Sequence, residues 1–108
     1  MQLHSTYESN AVSAAWVSSA REAMVNLAQM RRELSVAKAN YEYDLDRLAS
    51  DDPERTVANY TYAEYQRDFA GVVWQVDHVI NEALAISELL NAEAQYVLDL
   101  IVSIRTSL

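Results

Sequence analysis

The residues best placed to do chemistry are His78 and Glu82, which lie four positions apart and share a face if their segment is helical, with Asp77 adjacent. An imidazole and carboxylates at that spacing can ligate a divalent cation or pass a proton, and Glu22, on an earlier helix, is the natural candidate to face them. A di-metal carboxylate bundle needs Glu-x-x-His from two helices and two further inward glutamates, and that pattern is missing. The competing reading is a surface histidine pairing with Glu82, so no metal and no cofactor is expected. His4, the other histidine, reads as a solvated tail residue.

Two histidines are little material for a general base, and there is no Gly-rich phosphate loop, no Gly-x-Ser-x-Gly elbow and no cysteine nucleophile. The inventory argues against an enzyme. With no cysteine at all, disulfides and thiolate metal sites are excluded as well.

A second concentration is tyrosine among acids, where Tyr41, Tyr43, Tyr60, Tyr62 and Tyr65 interleave with Glu42, Asp44, Asp46, Asp51, Asp52, Glu54, Glu64 and Asp68. Tyrosine is enriched at protein interfaces, and an acidic aromatic surface suits a basic partner. Tyr41, Tyr62 and Tyr65 fall on an apolar stripe and are core by default. Tyr43, Asp44, Asp51, Asp52, Glu54 and Tyr60 are therefore the candidate docking residues. The plainer alternative is a solvated end whose carboxylates pair with Lys38, Arg47, Arg55 and Arg67.

The elements that position these residues follow from periodicity. Trp16, Ala20, Ala23, Leu27, Met30, Leu34, Ala37, Tyr41, Leu45 and Leu48 recur at alternating steps of three and four, one continuous helical face. Ser5 and Glu8 have capping-box spacing, and Ser9-Asn10 offers a second start. The stripe breaks once, at Ser50-Asp51-Asp52-Pro53: proline suits the first turn of a new helix, Asp51 or Asp52 can cap it, and Glu54 favours its positive end. A second stripe runs through Tyr62, Tyr65, Phe69, Val72, Val76, Val79, Ala83, Ile86, Leu90, Ala94, Val97, Ile101, Ile104 and Leu108, with one extra four-step from Leu90 to Ala94 that reads as a local unwinding of the supercoil.

The pattern predicts an all-α fold, a long antiparallel two-helix hairpin with coiled-coil-like packing, as one domain over 1–108, with helix 1 at about 6–49, the turn at 50–52 and helix 2 at about 53–107. The single Gly and single Pro agree, because β-rich folds need many turns built from them. Gly71 falls in the middle of helix 2, where close approach of another helix would compensate its poor propensity. Small hairpins of the WXG100 type share the length and architecture. Their Trp-x-Gly turn is absent here, since Trp16 and Trp74 fall inside helices, and no family is assigned.

Helix 2 has more apolar surface than helix 1 can cover. It outruns helix 1 by roughly ten residues, about 15 Å of rise, and the overhang Asp99–Arg105 is among the most apolar stretches. A second face carries Trp74, Ala85, Leu89, Ala92, Tyr96 and Leu100, partly interrupted by His78 and Asn81. With Ile101 and Ile104 of the overhang these residues form the predicted interface, to be covered by a second copy in a four-helix bundle, by a larger oligomer or by another protein.

The expected function is a non-enzymatic structural or assembly component that packs with itself or with neighbours in a larger bacterial or viral complex. The alternative is an acidic helical binding module, whether inhibitor, chaperone or secreted hairpin, that docks a protein through its Tyr/Asp/Glu-rich tip. Sixteen acidic residues against eight basic ones, a net charge of -8, disfavour direct nucleic-acid binding and an anionic membrane surface. No stretch is long and apolar enough to predict a membrane span. The opening residues lack the basic and apolar regions of a Sec signal, so cytoplasmic synthesis is expected, with virion packaging or specialised secretion as later destinations.

Overall fold

The structure, a computed structural model, describes residues 2–108, with side chains from Tyr7 onward. The fold is all-α and elongated. Helix α1 spans Gln2–Arg47, α2 spans Pro53–Ala85, a short 3₁₀ turn covers Ser87–Leu89, and α3 spans Ala92–Thr106. The molecule measures 71 × 17 × 16 Å, its long axis matching the roughly 69 Å that a 46-residue helix must span. The backbone is already helical at Ser5 and Ser9, so neither starts α1. The Ser5 hydroxyl and His4 lie outside the described side chains.

The turn between α1 and α2 is built as its residues dictate. Asp52 is the N-cap of α2, accepting from the Glu54 amide at 2.9 Å, and Pro53 occupies the first turn. Arg55 reaches back from α2 to donate to the Leu45 and Leu48 carbonyls at 3.2 and 2.9 Å, satisfying acceptors that the end of α1 leaves open. The hairpin register is fixed by Tyr41 donating to Asn59 at 2.6 Å and by the Asn26–Gln75 amide bond further along.

The continuous helix 2 predicted to about residue 107 is not what forms. The chain breaks at Ile86–Asn91, and α3 folds back beside α1 and α2. Asn91 caps α3 by accepting from the Ala94 amide at 3.0 Å. The corner is clamped to α1: the buried Ser13 hydroxyl donates to the Leu89 carbonyl at 3.0 Å and accepts from the Asn91 amide at 2.9 Å, and Ser9 donates to the same carbonyl. The reason lies in the overhang itself. Folding back buries Val97, Leu98 and Ile101 together against α1 and α2, each contributing about 1.5–3 kcal/mol, against the loss of a few helical hydrogen bonds.

The result is a three-helix head and a two-helix arm. In the head, Trp16, Val17, Ala20, Ala23 and Leu27 of α1 pack with Val76, Val79 and Ala83 of α2 and Ala94, Val97, Leu98 and Ile101 of α3. The Trp16 indole N–H is satisfied there by the Val79 carbonyl at 2.9 Å. Arg21–Glu93 at 3.2 Å ties α3 to α1, and Arg105–Asp77 at 2.7 Å ties it to α2. Beyond the end of α3, the arm continues as α1 and α2 alone.

Candidate functional site

In the arm the apolar stripe runs on without a third helix to cover it. Leu34, Tyr41, Leu45 and Leu48 on α1 and Tyr62 and Phe69 on α2 are only half-buried, and Ala37 is the one fully buried arm residue among those described. Tyr41 and Tyr62 stack across the seam, ring centroids 4.7 Å apart. Along one side of this seam lies a groove of about 800 Å³. Its apolar lining includes Val36, Ala37, Tyr41, Val57, Tyr62 and Tyr65, and Val36 and Val57 stand 61% and 64% exposed.

Two rows of residues at seven-residue spacing run along the hairpin, Asn26, Glu33, Asn40 and Arg47 on α1 and Gln75, Asp68, Thr61 and Glu54 on α2, and of these Glu33, Asn40, Arg47, Thr61 and Glu54 line the groove together with Arg32. The rows are cross-linked at both ends, by Asn26–Gln75 at 3.4 Å and by Arg47–Glu54 at 3.8 Å. Arg47 also donates to Asp44 at 3.2 Å, and that hydrogen bond chiefly, with the charges of Asp44 and Glu54, holds its guanidinium above the ordinary arginine value. A raised basic pKa acts only as pH climbs through it, so the Arg47 charge is constant across the neutral range. The same guanidinium lies 5.8 Å from the centre of the Tyr43 ring.

The predicted docking tip divides into structural and free groups. Asp52 is consumed as the α2 cap, and Asp44 and Glu54 share the single guanidinium of Arg47. Asp51, Tyr43 and Tyr60 are exposed. Val36, Val57 and Tyr65, which dominate the groove, escaped sequence reasoning. Tyr65 counted as core on its stripe position, and Val36 and Val57 lie off the stripe, where a single apolar residue carries no signal.

The predicted interface is not one surface. Leu100, seven positions from Glu93, lies on the flank of α3 turned toward α1, with Tyr96 one turn before it. Trp74, 71% exposed, stands on the side of α2 opposite the buried Val76, Val79 and Ala83. The corner at Ile86–Asn91 separates them, with Ala85 and Ala92 exposed on either side and Leu89 on the turn. Ile101 is 0% exposed and Ile104 half-buried, both in the chain's own core. Nor does Gly71 serve a close helix approach within the chain, for a Cβ built there meets nothing within 4 Å.

The metal candidates separate as well. His78 stacks on Trp74 at 5.7 Å, while Asp77 is engaged by Arg105. No group of three or more His, Cys, Asp or Glu side chains comes together among the described residues to hold a metal ion. Among those residues, too, no helix is long and apolar enough to cross a membrane.

No family model, curated protein or solved structure matches the chain.

Proposed function

We propose that the chain is a non-enzymatic assembly component, in which the head supplies the stable fold and the two-helix arm packs against a neighbouring protein. The observation that carries this is the half-covered seam: the stripe that is largely buried in the head stays mostly half-exposed along the arm, where a further helical layer would complete it. The neighbour is a second copy or another chain. Hydrogen exchange of the purified protein at low concentration, with its mass checked by light scattering, is the test. Arm amides at 33–45 and 55–68 should exchange about a hundredfold faster than head amides, and adding the neighbour should slow them. A lone chain whose arm is as protected as its head has no need of a neighbour, and the proposal fails.

The alternative, a module docking through its tip, draws support from the exposure of Tyr43, Asp51 and Tyr60. Its test uses Asp51→Lys with Tyr60→Ala. Asp52 and Glu54 are unsuitable, because changing them removes the α2 cap or an Arg47 partner. Loss of a partner in these variants with the fold intact favours docking at the tip over packing along the arm.

A further inference from the structure

We infer that the arm groove is covered by the same groove of a second copy, lying face to face with its arm reversed. The inference rests on the assembly reading above and names the neighbour and its orientation.

The hairpin register comes first. Asn26 pairs with Gln75 and Arg47 with Glu54, so Asn40 on α1 lies level with Thr61 on α2, midway along the groove that both line. When two such grooves meet with the arms reversed about a two-fold axis at that level, α1 lies over α1 of the mate and α2 over its α2. The lining then falls on itself. Asn40 meets Asn40 and Thr61 meets Thr61, while Val57 of each copy lies level with Tyr65 of the other, so that these exposed apolar side chains cover one another. The overlap runs along α1 from Arg32 to Leu48, about 24 Å, and leaves the two heads outside it at opposite ends.

Charge selects the copy, because the groove carries both signs and its two ends differ. At the head end, Arg32 enters no ion pair among the described residues, and Glu33 accepts only from the neutral Gln29 amide at 3.4 Å. At the tip end, the one guanidinium of Arg47 is shared by Asp44 and Glu54. Reversal sets each end on the other. Glu33 lies level with Arg47 of the mate, and Arg32 lies level with Leu48 of the mate, one turn from its Asp44. The free cation therefore faces the cluster with surplus acid, and the free carboxylate faces that cluster's guanidinium.

Other occupants match less of the lining. A helix of one charge sign leaves part of it opposed, Arg32 and Arg47 to a basic helix, or Glu33, Asp44 and Glu54 to an acidic one. Two copies pointing the same way stack tip on tip, which gathers Asp44, Asp51, Asp52 and Glu54 of both and leaves both Arg32 side chains at the far end. Reversed copies have one adverse pairing, Glu54 level with Asp68. Asp68 does not line the groove, and Glu54 keeps Arg47 of its own chain beside it.

The test uses the full chain, which has no cysteine, so single cysteines report the pairing without background. Sedimentation equilibrium of the unaltered chain from about 1 to 500 μM should pass from one copy to two and stop there, as a small two-fold interface requires. X-ray scattering of the dimer should give a length of about 110 Å, against 71 Å for one copy or for two copies pointing the same way. Under mild oxidation Asn40→Cys and Thr61→Cys should each link to themselves about tenfold or more faster than Trp74→Cys, an exposed site outside the groove, because a disulfide needs Cα atoms within about 7 Å. Arg32→Glu should weaken the dimer about fivefold or more. Lys38→Glu, the same change of charge at an exposed site outside the lining, should change it less than about twofold; circular dichroism checks that each variant folds. A chain that stays monomeric over that range overturns the inference, as do equal effects of Arg32→Glu and Lys38→Glu. So does a mixture in which Asn40→Cys links to Thr61→Cys faster than either links to itself, the signature of copies pointing the same way. Each of these leaves the assembly reading standing as long as the arm of the single chain exchanges fast; that reading fails separately, when a monomer's arm is as protected as its head.

Discussion

Replacing Ser13 by alanine removes one hydroxyl from the molecule and takes away the one clamp that grips both sides of the corner between α2 and α3. Ser13 is 1% exposed, and its hydroxyl serves both sides of the break, donating to the Leu89 carbonyl and accepting from the Asn91 amide. The Leu89 carbonyl keeps a second donor in Ser9, so the acceptor is not orphaned. The Asn91 N–H loses its acceptor in a part-buried site, and an unsatisfied buried donor costs about 1–3 kcal/mol. At about 2 kcal/mol, the melting temperature of a chain of this size falls by roughly 10 °C. Urea and thermal unfolding followed by circular dichroism measure the loss, and hydrogen exchange should show Asn91 as the amide most accelerated. Ser9→Ala, at a half-exposed position, should stay within about 0.5 kcal/mol of the parent. The double variant should lose more than the sum of the two, because the Leu89 carbonyl then loses both donors. If Ser13→Ala is no more destabilising than Ser9→Ala, the hydroxyl does not hold the corner, and the account of why the chain turns there is wrong.

Three further outcomes follow from the same geometry. Ile101→Ala should cost about 2–5 kcal/mol in urea unfolding, whereas Tyr96→Ala, at a residue 69% exposed, should cost less than about 1 kcal/mol; near-equal losses would mean that α3 does not dock as described. Gly71→Ala should stabilise the chain by roughly 1 kcal/mol, since the added methyl meets nothing and the helix gains propensity; destabilisation would reveal a neighbour against that site. Arg55→Ala should speed exchange in the last turn of α1 by about tenfold, because the Leu45 and Leu48 carbonyls lose their donor; an unchanged rate would show that water replaces the guanidinium at no loss.

The helical stripes and the first turn were legible because each rests on strong local rules. Residues at three-four spacing from Trp16 to Leu48 do line the seam, and Pro53 with Asp52 does open α2. The second break was legible only in part. The extra four-step from Leu90 to Ala94 marks the place, but the break has no Gly or Pro, and a supercoil slip explains the same spacing. What decides it is tertiary: a hydroxyl 76 residues away and the burial of Ile101 against a helix whose groove is open there. Treating Trp74 and Tyr96 as one face followed from assuming an unbroken helix, and it fell with that assumption. The groove was invisible for a related reason, since Val36 and Val57 matter only through the pairing of two helices and the early ending of a third.

The slenderness of the head and arm has a hydrodynamic corollary. A compact chain of this length has a radius of gyration of about 13 Å, whereas here the value is 19.6 Å, that of a globule of about 300 residues. A single copy therefore sweeps out the volume of a much heavier particle as it tumbles, and on a sizing column it elutes at the position of a globular dimer or trimer. Retention volume and stoichiometry part company for such a rod, and its copies are counted by directly measured mass.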